Sequence, residues 1–481
     1  QIQIASPVEG QVPVLASGAV PLAVNAYSSV TPVKEITYTC LVDGKALFNN
    51  KKLQQATDWC WNAEVPLTAK QEGKAVTLKI KARFNNGETA ETESAFTYHA
   101  APAEVKLGGN WLNLLENPQH AASAGPALNQ PLQMAWIKNV GANIYMTSPL
   151  VYNGKIYIAS VDENLKGEAH VYALDGKTGE LTWKYPVRNS IKNTIVIDNG
   201  QVLAQDAQGY LYAINAESGK LSWEKQLPVN GLPALIEGLV ASDGIVYAGT
   251  GKGLCAIETK DGKVLWQNKD WGQGEGTTTT FSVAGDKLIG SSQWNALYGN
   301  DLKTGALKWT ANTNGLRNRG ASAAVHGNLL YLISDKSFFI LEANTGRVVV
   351  RKELPFSVDV TSTPLLTDKE IIFGSAKDGL IALDNETLEL KWKFATGDAL
   401  VFTSPYSRKP AATIETSPVL AGNTVYVGAS DGTIYGVNKE DGKLVWKHAT
   451  GAPVFGSVTV SGNALIAVDF GGNVYTFVAG N

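Results

Sequence analysis

The chain has 481 residues, 48 of them glycine, and a formal net charge of −3. That length exceeds one ordinary core, so several domains or one large repeat array are expected. The near-balanced charge offers no bulk field to nucleic acid or an anionic membrane, and no apolar run approaches the ~20 residues that span a bilayer.

The start, Gln1-Ile2-Gln3-Ile4, is neither an initiator methionine nor a signal peptide. It leaves two readings, a removed targeting segment or a cut from a longer chain. Residues 1–100 read as a small all-β domain. Strand-like stretches at Ile2 to Ala5, Pro21 to Tyr27, Ile36 to Val42 and Val76 to Phe84 are separated by Gly, Pro and Asn. The run Asn85-Asn86-Gly87 is a tight-turn signal for a hairpin. Six or seven short strands in this length suggest an immunoglobulin-like sandwich. Cys40 and Cys60 both lie in strand-like stretches, and a disulfide between them, implying an oxidising compartment, is the reading taken. Two buried free thiols are the alternative. Cys255, alone in the later array, reads as a small core side chain.

Residues 101–130 read as a linker at Ala101-Pro102-Ala103 and a lead-in around Trp111. From there to residue 481 one phrase recurs. It first reads Tyr172-Ala173-Leu174-Asp175-Gly176-Lys177-Thr178-Gly179-Glu180-Leu181-Thr182-Trp183, and returns ending at Trp223, Trp266, Trp309, Trp392 and Trp446. A period of about forty residues marks a repeat architecture. Each unit carries four short β-runs separated by turn residues, the content of one propeller blade. Seven complete units follow, with Val350 in the slot between Trp309 and Trp392. The tail supplies three more strands, and the stretch around Trp136 supplies the missing fourth. Pairing of the two chain ends then closes an eighth blade and removes the open edges of the array. The tryptophans, Trp136 included, read as packing between blades, each with its N–H free to find a backbone acceptor. Val350 predicts one looser junction.

The phrase resembles the tryptophan-docking repeat of the pyrroloquinoline quinone (PQQ) propeller superfamily over residues 105 to 481. That resemblance implies an all-β propeller, for which the units counted above give eight blades. Members include quinoprotein alcohol dehydrogenases and the propeller lipoprotein of the outer-membrane β-barrel assembly machinery. Others in bacteria are fused to immunoglobulin-like and calcineurin-like phosphoesterase domains. The dehydrogenases resemble one another in an adjacent cysteine pair over the quinone, and no two cysteines here are adjacent. They also carry a calcium site and a catalytic aspartate without convincing equivalents in this chain. Quinone-dependent oxidation is therefore not expected, and no cofactor is predicted.

Other chemistry is thin. The five histidines, His99, His120, His170, His326 and His448, have no metal-ligand spacing. Asp359 and Glu415 precede inner strands and can face a central funnel, although single carboxylates at such loops are more often turn or solvated residues. The loops that gather at the channel carry Arg188, Lys192 and Asn193, then Arg317 and Arg319, then Arg408 and Lys409. Converging, they form a cationic funnel for a carboxylate, sulfate or phosphate; otherwise they are solvated charge. Trp271 and Trp294 fall outside the docking slots and offer an aromatic contact or buried packing.

The expectation is a monomeric, non-catalytic binding or scaffold protein with a protein or glycan partner. It is secreted, periplasmic or associated with the outer membrane, binds no nucleic acid and does not span a membrane. The alternatives are an accessory module of a larger enzyme, such as a calcineurin-like phosphoesterase, or an unrecognised activity at the funnel.

Overall fold

The computed structural model describes residues 1–480 apart from 122–124, 228–237, 250–252, 269–279, 292–295, 313–320 and 404–407. Eight strands form the first body. They are β1 (Ile2–Ser6), β2 (Val20–Ala26), β3 (Val33–Val42), β4 (Lys45–Lys52), β5 (Gln54–Gln55), β6 (Cys60–Val65), β7 (Ala75–Phe84) and β8 (Thr89–Thr97). They make two antiparallel sheets, ordered β1-β2-β6-β5 and β4-β3-β7-β8, closed over one apolar cluster. The alternation in β7 explains the packing, with Val76, Leu78, Ile80, Ala82 and Phe84 buried and the residues between them turned toward solvent. Sequence reading missed β4 because almost all of its side chains are exposed, so it shows no alternation. It missed β5 because two residues carry no period.

The expected Cys40–Cys60 disulfide does not form, and both thiols are free and buried. Side chains alternate along a strand, so Cys60 and its neighbour Trp61 point to opposite faces of one sheet. Trp61 and Cys40 enter the sandwich core, whereas Cys60 belongs to the apolar cluster of the propeller. Burial pushes the Cys40 thiol up to about 11 and that of Cys60 higher still.

The remaining chain forms eight four-stranded antiparallel sheets. Seven follow one another at residues 150–186, 196–226, 240–268, 282–312, 324–353, 365–394 and 419–449. The last combines strands from 459–478 with β9 (Gln133–Asn139), which pairs antiparallel with Asn473–Val478. The first strands of the first five sheets touch in succession, as do those of the last two, and so gather about an axis. Burial follows the same gradient. The second strand Lys155–Ala159 is buried on both faces, while the outer strand Leu181–Pro186 alternates exposed and half-buried.

The recurring phrase has a local cause. Asp175 accepts hydrogen bonds from Lys177 N and Thr178 N at 2.9 Å, while Gly179 takes φ +74° and returns its N–H to Asp175 O at 2.8 Å. This is an aspartate-capped turn that needs a residue tolerant of positive φ. A bulge then opposes Ala173 to Trp183 and Leu174 to Leu181, and the same shift recurs in the sibling sheets. It aims the indole at the neighbouring sheet. There Trp183 Nε1 donates to Ala216 O at 2.9 Å, Trp223 to Thr259 O at 2.9 Å and Trp309 to Ala343 O at 2.8 Å. The receiving turn glycine lies flat under the ring, and a Cβ on Gly219 would fall 2.6 Å from Trp183.

Candidate binding site

Buried short hydroxyl side chains stand two residues before seven of the eight inner strands, and Gly238 takes that position before the strand Val240–Ser242. Ser457 N donates to Ser148 Oγ, Ser417 N to Ser457 Oγ and Thr363 N to Ser417 Oγ, each at 2.9 Å. Ser322 and Thr363 hydroxyls meet at 2.5 Å. These bonds tie successive sheets around the axis. The lead-in segment then circles that axis. Trp111 pairs with Val151, Ile197 N donates to Leu112 O, Asn113 bonds both backbone groups of Ala241, Val283 N reaches Pro118 O and Val325 N reaches Gln119 O. Thus a few residues visit the inner strands of five sheets in order. His120, at the end of this strap, is buried, with Nδ1 2.8 Å from Ser322 Oγ and 3.3 Å from Ser282 Oγ. Desolvation holds its imidazole down at about 3.

Two of the loop cations have carboxylate partners. Arg188 forms a forked pair with Glu224, at 2.8 Å for both bonds, and its guanidinium lies 4.2 Å over the Tyr210 ring. Lys192 pairs with Glu163 at 3.2 Å. Asn193 is used structurally, accepting from Thr147 Oγ1 at 3.0 Å through its backbone and from Thr280 Oγ1 at 3.3 Å through its side chain. Arg408 and Lys409 are exposed. Arg317 and Arg319, together with Trp271 and Trp294, lie outside the described residues. Glu415 is buried and accepts from Thr361 N at 2.8 Å and Thr361 Oγ1 at 3.0 Å, so it binds one loop to the next. Asp359 is also buried. No group of three or more His, Cys, Asp or Glu suited to hold a metal occurs among the described residues. No described helix is long and apolar enough to cross a membrane.

Sequence reasoning missed a different constellation, the seat of the sandwich on the propeller. Asn25 on β2 donates to Thr450 O at 2.8 Å and to Asp469 Oδ2 at 2.9 Å. The same carboxylate accepts from Tyr475 OH at 2.5 Å and from Asn473 Nδ2. Around it, Thr57 Oγ1 donates to Gly471 O and His448 Nε2 to Ala5 O, both at 2.9 Å. Trp59 stacks on Tyr27 at 4.3 Å and meets Phe470 edge-on at 5.9 Å. Burial raises the Asp469 carboxyl to about 6 and lowers the His448 imidazole to about 4. A sequence signal exists for half of this seat. Asp206 with Tyr212 and Asp431 with Tyr435 repeat the buried pair of Asp469 and Tyr475. Nothing in the repeat announces Asn25.

With this geometry in hand, comparisons with known proteins are specific. The outer membrane protein assembly factor BamB of Yersinia pestis is 26% identical over 324 residues, 57% of this chain and 81% of that protein. That of Escherichia coli is 27% identical over 351 residues, 62% of this chain and 88% of that protein. Tetrathionate hydrolase of Acidithiobacillus ferrooxidans is 23% identical over 378 residues, 72% of this chain and 66% of that enzyme. In structure, BamB from Moraxella catarrhalis superposes with a TM-score of 0.56 at 19% identity, covering 72% of this chain and all of that one. A europium-containing methanol dehydrogenase gives 0.60 at 13% identity, over 77% of this chain and 98% of that one; at such identities both likenesses speak for the fold alone. The family described as outer membrane protein assembly factor BamB matches residues 133–286, 295–414 and 407–481, and the chain therefore belongs to this family of PQQ-like propellers.

Proposed function

We propose that the chain is a non-catalytic, protein-binding scaffold of the bacterial envelope, serving the assembly of outer-membrane proteins. The observation that carries this reading is the family match, which runs through the propeller from residue 133 to residue 481. The relatives from Yersinia pestis and Escherichia coli are named for that assembly role. Two features agree with it: the strap bonds along the inner strands of five sheets, and Arg188 and Lys192 are paired with carboxylates.

The architecture we propose for this scaffold is an immunoglobulin-like sandwich over 1–100, a linker and lead-in over 101–130, and an eight-bladed propeller over 131–481. The sheet orders β1-β2-β6-β5 and β4-β3-β7-β8 support the first assignment. Eight four-stranded sheets support the last, and the indole-to-carbonyl bonds support tryptophan docking as its blade lock.

Photo-crosslinking in the native cell, followed by affinity purification and mass spectrometry, tests the function. The expected products are outer-membrane β-barrel proteins or components that insert them. Recovery of the chain in the cytosolic fraction, or crosslinks to cytosolic proteins only, would overturn the proposal.

A further inference from the structure

Beside the seat of the sandwich lies a cleft of about 520 Å³. One wall is the outward face of the sandwich sheet, with Pro21 and Ala23 on β2 and Asn62 and Glu64 on β6. The other is β9, through Ile137, Lys138 and Asn139. A second recess of about 330 Å³ continues it, sharing Gln54, Asn62, Lys138 and Asn139 and reaching Lys184 on the outer strand Leu181–Pro186. The family match begins at residue 133, so the sandwich wall lies outside it.

Three properties of this cleft select an occupant. First, β9 is the outermost strand of its sheet and pairs only with Asn473–Val478 among the described residues. Alternate residues of an edge strand point their N–H and C=O groups away from the one partner they have. Second, Gln54 and Asn62 bring side-chain amides, each both donor and acceptor, to the same space, whereas the amide of Asn139 is engaged by Gly471 O, Asn473 Oδ1 and Gly141 N. Third, the charge is cationic. Lys138 and Lys184 are exposed and make no ion pair among the described residues, and Glu64 is the only carboxylate lining either recess. An open edge, flanking amides and unpaired lysines together fit an extended peptide that adds to β9 as a strand and carries acidic side chains.

We propose that this cleft is a binding groove for an extended acidic segment of a partner protein, seated between the sandwich and β9. The inference rests on the protein-binding reading above and adds a site and a ligand chemistry to it. The two fail separately. Crosslinks to an envelope protein uphold the scaffold even where the groove proves inert.

The test uses the full chain and a fluorescein-labelled decapeptide of alternating valine and glutamate, followed by fluorescence anisotropy at low salt. Saturable binding is expected. The variant Lys138→Glu/Lys184→Glu should weaken it at least tenfold, with its melting midpoint unchanged because both side chains are exposed. The variant Lys45→Glu/Lys79→Glu, on the other sandwich sheet, should bind as the parent does. A peptide N-methylated at alternate residues keeps its charge but loses its strand donors, and should bind at least tenfold more weakly. Bound peptide should also slow amide exchange in residues 133–139. Absence of saturable binding, indifference to the charge reversal, or equal affinity of the N-methylated peptide would each overturn the groove. So would equal binding of a valine–lysine peptide.

Discussion

At the scale of single residues, the seat of the sandwich joins two buried ionisable groups of opposite tendency. His448 has a folded value of about 4 against an ordinary 6.5. Its folded pKa is depressed, so its contribution is present above about pH 6.5 and fades as pH falls toward 4. The size is about 3 kcal/mol. Asp469 runs the other way, with a folded value of about 6 against 3.8. Its raised pKa makes the contribution full below about pH 4 and lost as pH rises through 6. His120 shares the sign of His448, having been lowered from 6.5 to about 3. Burial also lowers His326 and raises Asp206 and Asp431, so the directions balance in number. It is the larger displacements of His120 and His448 that predict a net loss of stability between pH 6.5 and 4. Urea titrations across that range should show a falling midpoint. The variant His448→Gln, which keeps a donor for Ala5 O, should flatten the fall. A midpoint that rises on acidification in the parent protein would contradict the assignment.

At the scale of elements, the junction between sheets is a lock with two parts, an indole on one outer strand and a glycine in the next turn. The junction after Val350 lacks both. The matching turn places Leu388 at φ +60°, its N–H still bonded to Asp384 O at 2.8 Å, and Leu388 packs on the apolar cluster the two sheets share. Alone, Val350→Trp should overpack this junction and cost about 1–3 kcal/mol. The change Leu388→Gly alone should leave a void and cost about 2–4 kcal/mol. The double variant should recover most of both losses, with a coupling of about 1–3 kcal/mol in a double-mutant cycle followed by chemical denaturation. Additive losses would show that the two positions do not form one lock. The expectation of a looser junction at Val350 rested on one half of the pair. Leu388 was invisible as its complement, because the packing of one turn under another unit's strand is not a local property.

At the scale of the whole molecule, three devices close the ring. β9 completes the sheet begun by residues 459–478, hydroxyl bonds link successive inner strands, and the strap circles the axis. Asn113 anchors the strap through its side chain, because its amide satisfies both the N–H and the C=O of Ala241 in a buried place. Replacing Asn113 with Ala leaves two buried backbone groups without partners, at about 1–3 kcal/mol each. Chemical denaturation should register a total loss of about 2–5 kcal/mol, and hydrogen exchange should quicken first at the inner strands near Ala241. A loss below about 1 kcal/mol would mean that water replaces the amide and the strap is dispensable.

The repeat, its β-strands and the pairing of chain ends were legible in the sequence because each rests on local chemistry. An aspartate-capped turn, a glycine at positive φ and an apolar alternation announce themselves within a dozen residues. Even β9 could be placed, since an unfinished unit at one end of the array matches a missing strand at the other. What tertiary structure alone decided was the orientation of side chains across sheets far apart in the chain. Cys40 and Cys60 share a strand-like setting but occupy different cores, because alternation sends Cys60 to the outer face. Arg188 and Lys192 read as isolated cations along the chain, and only the fold brings Glu224 and Glu163 beside them. Asn25 meets Asp469 across 444 positions, and no pattern short of the folded chain brings them together.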